Sequence, residues 1–451
     1  MFIPAPYPVR CALGLLVWTA WWWIARPVHL AVTGLLPLAV VAVFNFAPVG
    51  EILPSYADEL IVLLVGANIL SSTWQKWGLD RRIAIAVMTG AGNSATRQIL
   101  VWYGASVVLA ALLPRTVVAA TLIPIAIAML RFTGIQDLWN SAFGTALVLA
   151  ISWGSSVGGF LTPLGGAPNL LAMKFVTDTV THREFLFHTW VTHLLGLTVA
   201  VVLALLVYIR LALKPDIAEA SASRAFLDEQ WKALGPMRTE ERWSLSLFAA
   251  ATAAAFTRPL YSAAFPGLTP SFAFLSFAIL CFLIRTGGEP LLTWEYAQGQ
   301  MMWGLFYVFA GGTALGAILN RTGAATFLAG LLTPLAGGGG LTGMFVFSGL
   351  AAGVAQMISN VATVAVIVPV AVSACQSLGV NPMPFVYAII AASHCGFMLP
   401  SSAGSSAVAA GYGVNLKTMF VKGFWAVLLL LVVIVAVAYV SMVSWPGFGE
   451  A

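Results

Sequence analysis

The sequence predicts an all-α polytopic membrane protein built from two inverted repeats. Three observations carry that prediction: a composition too apolar for water, a succession of apolar runs of spanning length, and a set of landmarks that recurs at a fixed offset. Of the 451 residues, 60% are hydrophobic and 8% are charged, and the mean hydropathy is +0.94. No water-soluble domain of this length has such values. The formal net charge of +5 is spread among loops, which suits an orientation signal and argues against a nucleic-acid partner. Cys11, Cys281, Cys375 and Cys395 sit in apolar runs without CxxC spacing, so neither a disulfide framework nor a zinc site is expected.

Taking the elements in order, apolar runs lie at about 11–25, 28–47, 59–77, 141–173, 186–210, 244–257, 270–285, 300–319, 383–414 and 423–444, against the ~20 residues that cross a bilayer. The first run, flanked by Arg10 and Arg26, lacks a cleavage pattern and is taken as a retained helix. Trp21, Trp22 and Trp23 at its end suit an interfacial aromatic belt. The runs at 97–131 and 341–375 differ from the others. Each is interrupted midway by polar residues or proline, as two half-helices meeting at a tip inside the membrane would be. The polar linker 211–243 mixes Lys214, Arg224, Lys232, Arg238 and Arg242 with six carboxylates. It separates a first repeat, 1–210, from a second, 244–451.

Superposing the two interrupted runs exposes the repeat. "PRTVVAATLIP" starts at Pro114 and "SNVATVAVIVP" at Ser359, and Gly78 and Gly323 share the same offset, since 359 − 114 = 323 − 78 = 245. Downstream, "GFLTP" (159–163) and "GFMLP" (396–400) correspond at an offset of 237. Arg81, Arg82, Arg97 and Arg131 bracket the first hairpin, whereas no Lys or Arg lies between Arg321 and Lys417. By the positive-inside rule the two hairpins open to opposite sides. Inverted repeats with broken elements at the bilayer midplane are how secondary transporters build a binding site. Ten spans plus two re-entrant hairpins, with both termini outside, are expected.

These motifs, together with "PVHLAVTGLLPLAVV", "WGLDRRIA", "GGFLTPLGGAPN" and "CGFMLP", resemble the divalent anion/sodium symporters of the ion transporter superfamily, over nearly the whole chain. The resemblance implies hairpins at 97–131 and 341–375, broken helices at 141–173 and 383–414, an elevator motion and a homodimer in the inner (plasma) membrane. It also implies that a Ser-Asn-Thr tip and a Gly-Thr-Pro-Pro-Asn-like loop hold one sodium ion per repeat, with the anion gripped between the tips. The chain departs from that pattern twice. Tip one is Pro114-Arg115-Thr116, with the loop Gly165-Gly166-Ala167-Pro168-Asn169 retained. Tip two keeps Ser359-Asn360 but continues with Val361, and its loop is Ser402-Ala403-Gly404-Ser405-Ser406. Neither half keeps a complete sodium site.

Arg115, midway between Arg97 and Arg131, offers no oxygen to sodium and repels a cation. A guanidinium there can instead replace the ion's charge and grip an anion through its fork, unless it snorkels to the interface. His394 adds a titratable group to the second half. Thr116, Ser359 and Asn360 supply hydroxyl and amide groups suited to a carboxylate or oxyanion, and Val361 removes a hydroxyl. The favoured reading is therefore exchange of small anions, either di- or tricarboxylates or a sulfate-like oxyanion, with no cofactor. Sodium symport, with the ion near Ser359 and Asn360, and proton symport through His394 stay open. An anion channel, or a hydrolase built on the serines beside His394, is a minor alternative, because no oriented nucleophile and base emerge. Asp58, Glu59, Asp137 and Asp178 are assigned to span ends.

Overall fold

The computed structural model describes residues 5–89, 92–332, 334 and 339–450. Its first half contains α1 (Tyr7–Ala25), α2 (Leu30–Phe44), α3 (Val49–Ile52), α4 (Glu59–Trp77), α5 (Leu79–Met88), α6 (Ala95–Ala110), α7 (Arg115–Phe132), α8 (Ala142–Gly158), α9 (Ala167–Val176) and α10 (Phe187–Ala212). After α11 (Ser221–Leu234), the second half contains α12 (Thr239–Phe256), α13 (Arg258–Tyr261), α14 (Pro270–Leu283), α15 (Trp294–Gln300), α16 (Trp303–Thr322), α17 (Ala324–Leu332), α18 (Leu341–Val354), α19 (Asn360–Ser377), α20 (Met383–Ser393), α21 (Gly404–Gly411) and α22 (Leu416–Ser444). Apart from the two-residue strands Arg285–Thr286 and Glu289–Pro290, the regular structure among the described residues is helical. Six segments are individually long and apolar enough to cross a membrane: Val49–Trp77, Arg115–Phe132, Phe187–Ala212, Trp303–Thr322, Asn360–Ser377 and Leu416–Ser444.

Local chemistry sets the boundaries. Asp58 caps α4 by accepting from the Leu60 N–H at 2.9 Å, Ser141 caps α8 through the Gly144 N–H at 3.0 Å, and Asn415 caps α22 through the Thr418 N–H at 2.9 Å. Each satisfies an amide that the first helical turn leaves free. Gly78 (φ 73°) and Gly323 (φ 77°) close α4 and α16 in the left-handed conformation that glycine alone adopts without strain. These are the two glycines that the sequence offset pairs.

The order of elements repeats: α4 to α10 have counterparts in α16 to α22. The packing is reciprocal as well. α2 packs on α16 as α14 packs on α4, α7 on α21 as α19 on α9, and α6 on α8 as α18 on α20. Two close crossings, α4 on α14 and α16 on α2, use glycines one offset apart, since 311 − 66 = 245. A Cβ on Gly66 would lie 2.8 Å from the Phe274 backbone, and one on Gly311 would lie 2.4 Å from the Gly34 carbonyl oxygen. Backbone meets backbone at both places, as small-residue packing allows where no hydrophobic effect separates helix from lipid.

Several boundaries differ from the sequence expectation. Helices enter the linker 211–243 from both ends: α10 runs to Ala212, α11 occupies its middle, and α12 begins at Thr239. The buried Arg82 holds it in place, with a 2.7 Å ion pair to Glu241 and bonds to the carbonyls of Leu234 and Gly235 at 3.0 and 2.9 Å. α22 starts at Leu416, seven residues before the apolar run, because Asn415 provides a cap among polar residues. Pro124 and Pro369 lie inside α7 and α19 without ending them. Of the three tryptophans that end α1, Trp23 is buried and Trp21 is exposed. The stretch 335–338, just before the second hairpin, lies outside the described residues.

Candidate functional site

The first broken span consists of α8, a short turn at Pro163–Gly165 and α9. Asn169 holds it together by donating from Nδ2 to the carbonyls of Gly159 and Thr162 at 2.7 and 2.8 Å. The interrupted helix leaves the Gly159 carbonyl without an internal donor, while that of Thr162 also accepts from the Gly165 N–H at 3.2 Å. The second broken span is α20, an irregular segment and α21. Here Ser406 donates to the Gly396 carbonyl at 3.0 Å. Since 406 − 169 and 396 − 159 are both 237, Ser406 makes the bond of Asn169 with a shorter side chain. The span ends are tied too. Lys174 on α9 pairs with Asp58 at 3.1 Å and with Asp178 at 2.9 Å.

Each tip is fastened to the loop of its own half. Thr162 donates to the Ala111 carbonyl at tip one. At tip two, Gln356 donates to the Cys395 carbonyl at 2.8 Å and accepts from the Phe397 and Met398 amides, both at 3.1 Å. The halves also cross. A Cβ on Gly404 would lie 2.4 Å from Thr116 Oγ1, so tip one rests on the second loop. A Cβ on Gly166 would lie 3.3 Å from His394 Nε2, which brings the second half's histidine to the first loop. Ser156 and Ser405 share a hydrogen bond at 3.0 Å.

Arg115 begins α7, and Ser359 caps α19 by accepting from the Ala362 N–H at 3.3 Å. Pro114 occupies at tip one the capping position that Ser359 holds at tip two. Val361, Pro168 and Ala403 pack among buried neighbours, and Ala167 starts α9. Ser402 donates to the Leu399 carbonyl at 2.6 Å. Five buried side-chain atoms of these motifs have no hydrogen-bond partner: Arg115 Nη1, Asn169 Oδ1, Asn360 Oδ1, Asn360 Nδ2 and His394 Nε2. Buried polar atoms are nearly always paired, so a concentration of unpaired ones in the four motifs marks where a ligand would complete them. The His394 Nδ1 nitrogen donates to the Ile390 carbonyl at 3.0 Å. Its Nε2 is therefore an acceptor in the neutral ring and a donor in the imidazolium.

Sequence reasoning missed Gln356, Thr162 and Arg26. Gln356 is a lone amide in the apolar arm "LAAGVAQMISN", and Thr162 is the polar residue of "GFLTP" that "GFMLP" lacks. Both were legible as polar exceptions. Arg26, read only as a flanking charge, donates from Nη2 to the Ser401 carbonyl in the second loop at 2.9 Å. No local signal announces that contact, because 375 residues separate the partners.

Two like halves, each with a hairpin and an interrupted span whose loops meet, define a polytopic membrane transporter rather than an enzyme. The chain belongs to the family described as the sodium:sulfate symporter transmembrane region, whose model matches residues 1–446. Among curated relatives, the "sodium-dependent dicarboxylate transporter SdcS" of Staphylococcus saprophyticus is 29% identical over 95% of this chain and 85% of its own length. The protein of that name from Staphylococcus aureus is 26% identical over 97% and 86%. Among solved structures, the YdaH transporter of Alcanivorax borkumensis matches with a TM-score of 0.59 over 99% of this chain and 100% of its own, at 17% identity. That likeness establishes the fold alone.

Proposed function

We propose that the protein exchanges small anions, di- or tricarboxylates or a sulfate-like oxyanion, across the plasma membrane, with Arg115 standing where a coupling sodium ion would otherwise sit. The observation that carries this reading is the charge balance around Arg115. Its Nη1 is sealed from solvent without a partner, and no Asp or Glu occurs in 95–132, 142–176, 341–377 or 383–411. Asp80, on the neighbouring α5, is bonded to α7 away from the tip: it accepts from Thr121 at 2.8 Å, six residues or about 9 Å along the helix from Arg115. The neutralising charge therefore comes from a bound anion, held by the guanidinium fork with Thr116, Ser359 and Asn360 as polar partners. A carrier that returned empty would carry an unpaired cation through a low-dielectric barrier at a cost of several kcal/mol. Obligatory exchange follows from that cost.

The reading includes an elevator motion, in which the hairpins 97–131 and 341–375 and the broken helices 141–173 and 383–414 move against a scaffold of the remaining spans, with 28–47 and 244–285 among them. The inverted orientation of repeats 1–210 and 244–451 about the linker 211–243, and assembly as a homodimer, belong to it as well. A second reading, sodium symport, is favoured by the names of the staphylococcal relatives and by the unpartnered Asn169 Oδ1 and Asn360 Oδ1, which are the kind of oxygen that sodium takes. Proton coupling would run through His394 Nε2. The test is uptake of radiolabelled succinate and sulfate into proteoliposomes, with and without unlabelled anion inside, each in sodium and in choline. Exchange predicts uptake that requires internal anion and ignores sodium. Uptake into empty vesicles driven by a sodium gradient would establish the second reading instead.

A further inference from the structure

Away from the tips, α10 ends and α22 begins side by side, tied by the Tyr208 hydroxyl donating to the Lys422 carbonyl at 2.7 Å. A cavity of about 650 Å³ opens at this junction, and Lys214, Lys422, Trp139 and Asn415 are among the residues that line it. It continues through Lys214 into a groove of about 790 Å³ lined by Arg97 and Arg210. Lys214, Lys422 and Arg210 form no ion pair among the described residues. Asp216, the carboxylate in the groove, is already committed. It accepts from the Ala142 and Phe143 amides at 3.2 and 2.9 Å, which also occupies the start of α8 and leaves the lysines as the anion-seeking groups.

The surface running away from this hollow is apolar. Leu195, Val199, Leu203, Val207 and Leu211 are all exposed, and their spacing of four residues places them in one row along α10 for about 24 Å. Val421 and Trp425 are exposed on the neighbouring α22. Cations beside a long apolar row, with the half-exposed Trp139 in the lining, match the chemistry of a phospholipid at the edge of a bilayer: a phosphate head, an interfacial belt and acyl chains. A soluble phosphate would use the lysines and ignore the row.

We propose that this hollow binds the head of an anionic phospholipid between Lys214 and Lys422, with an acyl chain laid along the exposed row of α10. The site is independent of the anion-exchange reading, since it shares no residue with the tips or loops. The test uses the full chain, purified in detergent and equilibrated with mixed micelles of phosphatidylglycerol and phosphatidylcholine, with retained lipid counted by native mass spectrometry. Each basic side chain near an anionic lipid surface contributes roughly fivefold in affinity. The pair Lys214→Gln and Lys422→Gln should therefore lower retained phosphatidylglycerol by roughly tenfold or more and leave phosphatidylcholine unchanged. Lys214→Arg with Lys422→Arg should restore it, and Arg242→Gln, an exposed arginine elsewhere, should have no effect. Retention by the glutamine pair equal to that of the parent would overturn the proposal. So would displacement of phosphatidylglycerol by millimolar inorganic phosphate, which would assign the lysines to a soluble anion.

Discussion

The two halves perform the same structural task with different groups. In the first, an arginine stands at the tip and an asparagine clamps the loop; in the second, an asparagine stands at the tip and a serine clamps the loop. Asn169 satisfies two backbone carbonyls and still has an unpartnered Oδ1. Ser406 satisfies one. The first loop is also the tighter. A Cβ on Gly165 would lie 2.3 Å from the Gly159 carbonyl oxygen and 2.7 Å from that of Ala110. The position one offset away, Ser402, carries a side chain without difficulty. Backbone architecture is thus shared between the halves while the polar chemistry has separated, which concentrates fixed charge at one tip and neutral amide at the other.

The comparison can be broken most severely at the tip. Arg115→Gln keeps a polar hydrogen-bonding end on a shorter side chain and removes the charge. Hydrogen bonds to charged groups contribute up to ~3 kcal/mol, so anion counterflow into proteoliposomes should fall by roughly 100-fold. Exchange that survives in Arg115→Gln would show that the charge at tip one is not the anion's partner.

A smaller effect separates the two loops. Gly165→Ala sets a methyl against two backbone carbonyls that have no side-chain freedom, and should destabilise the protein by about 2–3 kcal/mol. Ser402→Ala deletes one hydrogen bond and should cost about 1 kcal/mol. Thermal melting of the two variants in the same detergent measures the difference. Equal shifts would mean that the loops are equally close-packed.

The smallest contrast lies between the clamps. Asn169→Ala deletes two buried hydrogen bonds and leaves the Gly159 carbonyl unpaired, which should lower stability by about 2 kcal/mol, against about 1 kcal/mol for Ser406→Ala. Melting curves with and without a saturating anion add a second reading. If Asn169 Oδ1 faces the ligand, the anion should stabilise the parent more than Asn169→Ala.

Much of the fold was legible because its signals are local. Apolar runs of about 20 residues, Gly78 and Gly323 at helix ends, and the Pro114 and Ser359 caps at the tips each act within one or two turns of chain. The linker 211–243 was legible as a polar break between the halves, but what fastens it was not. Its composition is that of a solvated segment, and it is held by Arg82, which comes from more than 150 residues earlier in the chain. The site was legible in part. Arg115, Asn169, Asn360 and His394 stood out as polar residues in apolar surroundings and hold the unpartnered atoms, whereas Gln356 had the same signal and was passed over.

The sequence by itself determined the solvent of this protein, the order of its elements and the doubling of that order, since hydropathy, capping and repeat offset are properties of the chain. Only the tertiary structure decided which loop each tip touches. Thr116 against Gly404, His394 against Gly166 and Arg26 on Ser401 join segments hundreds of residues apart. Such contacts depend on how two halves pack against each other, and no periodicity within either half encodes that.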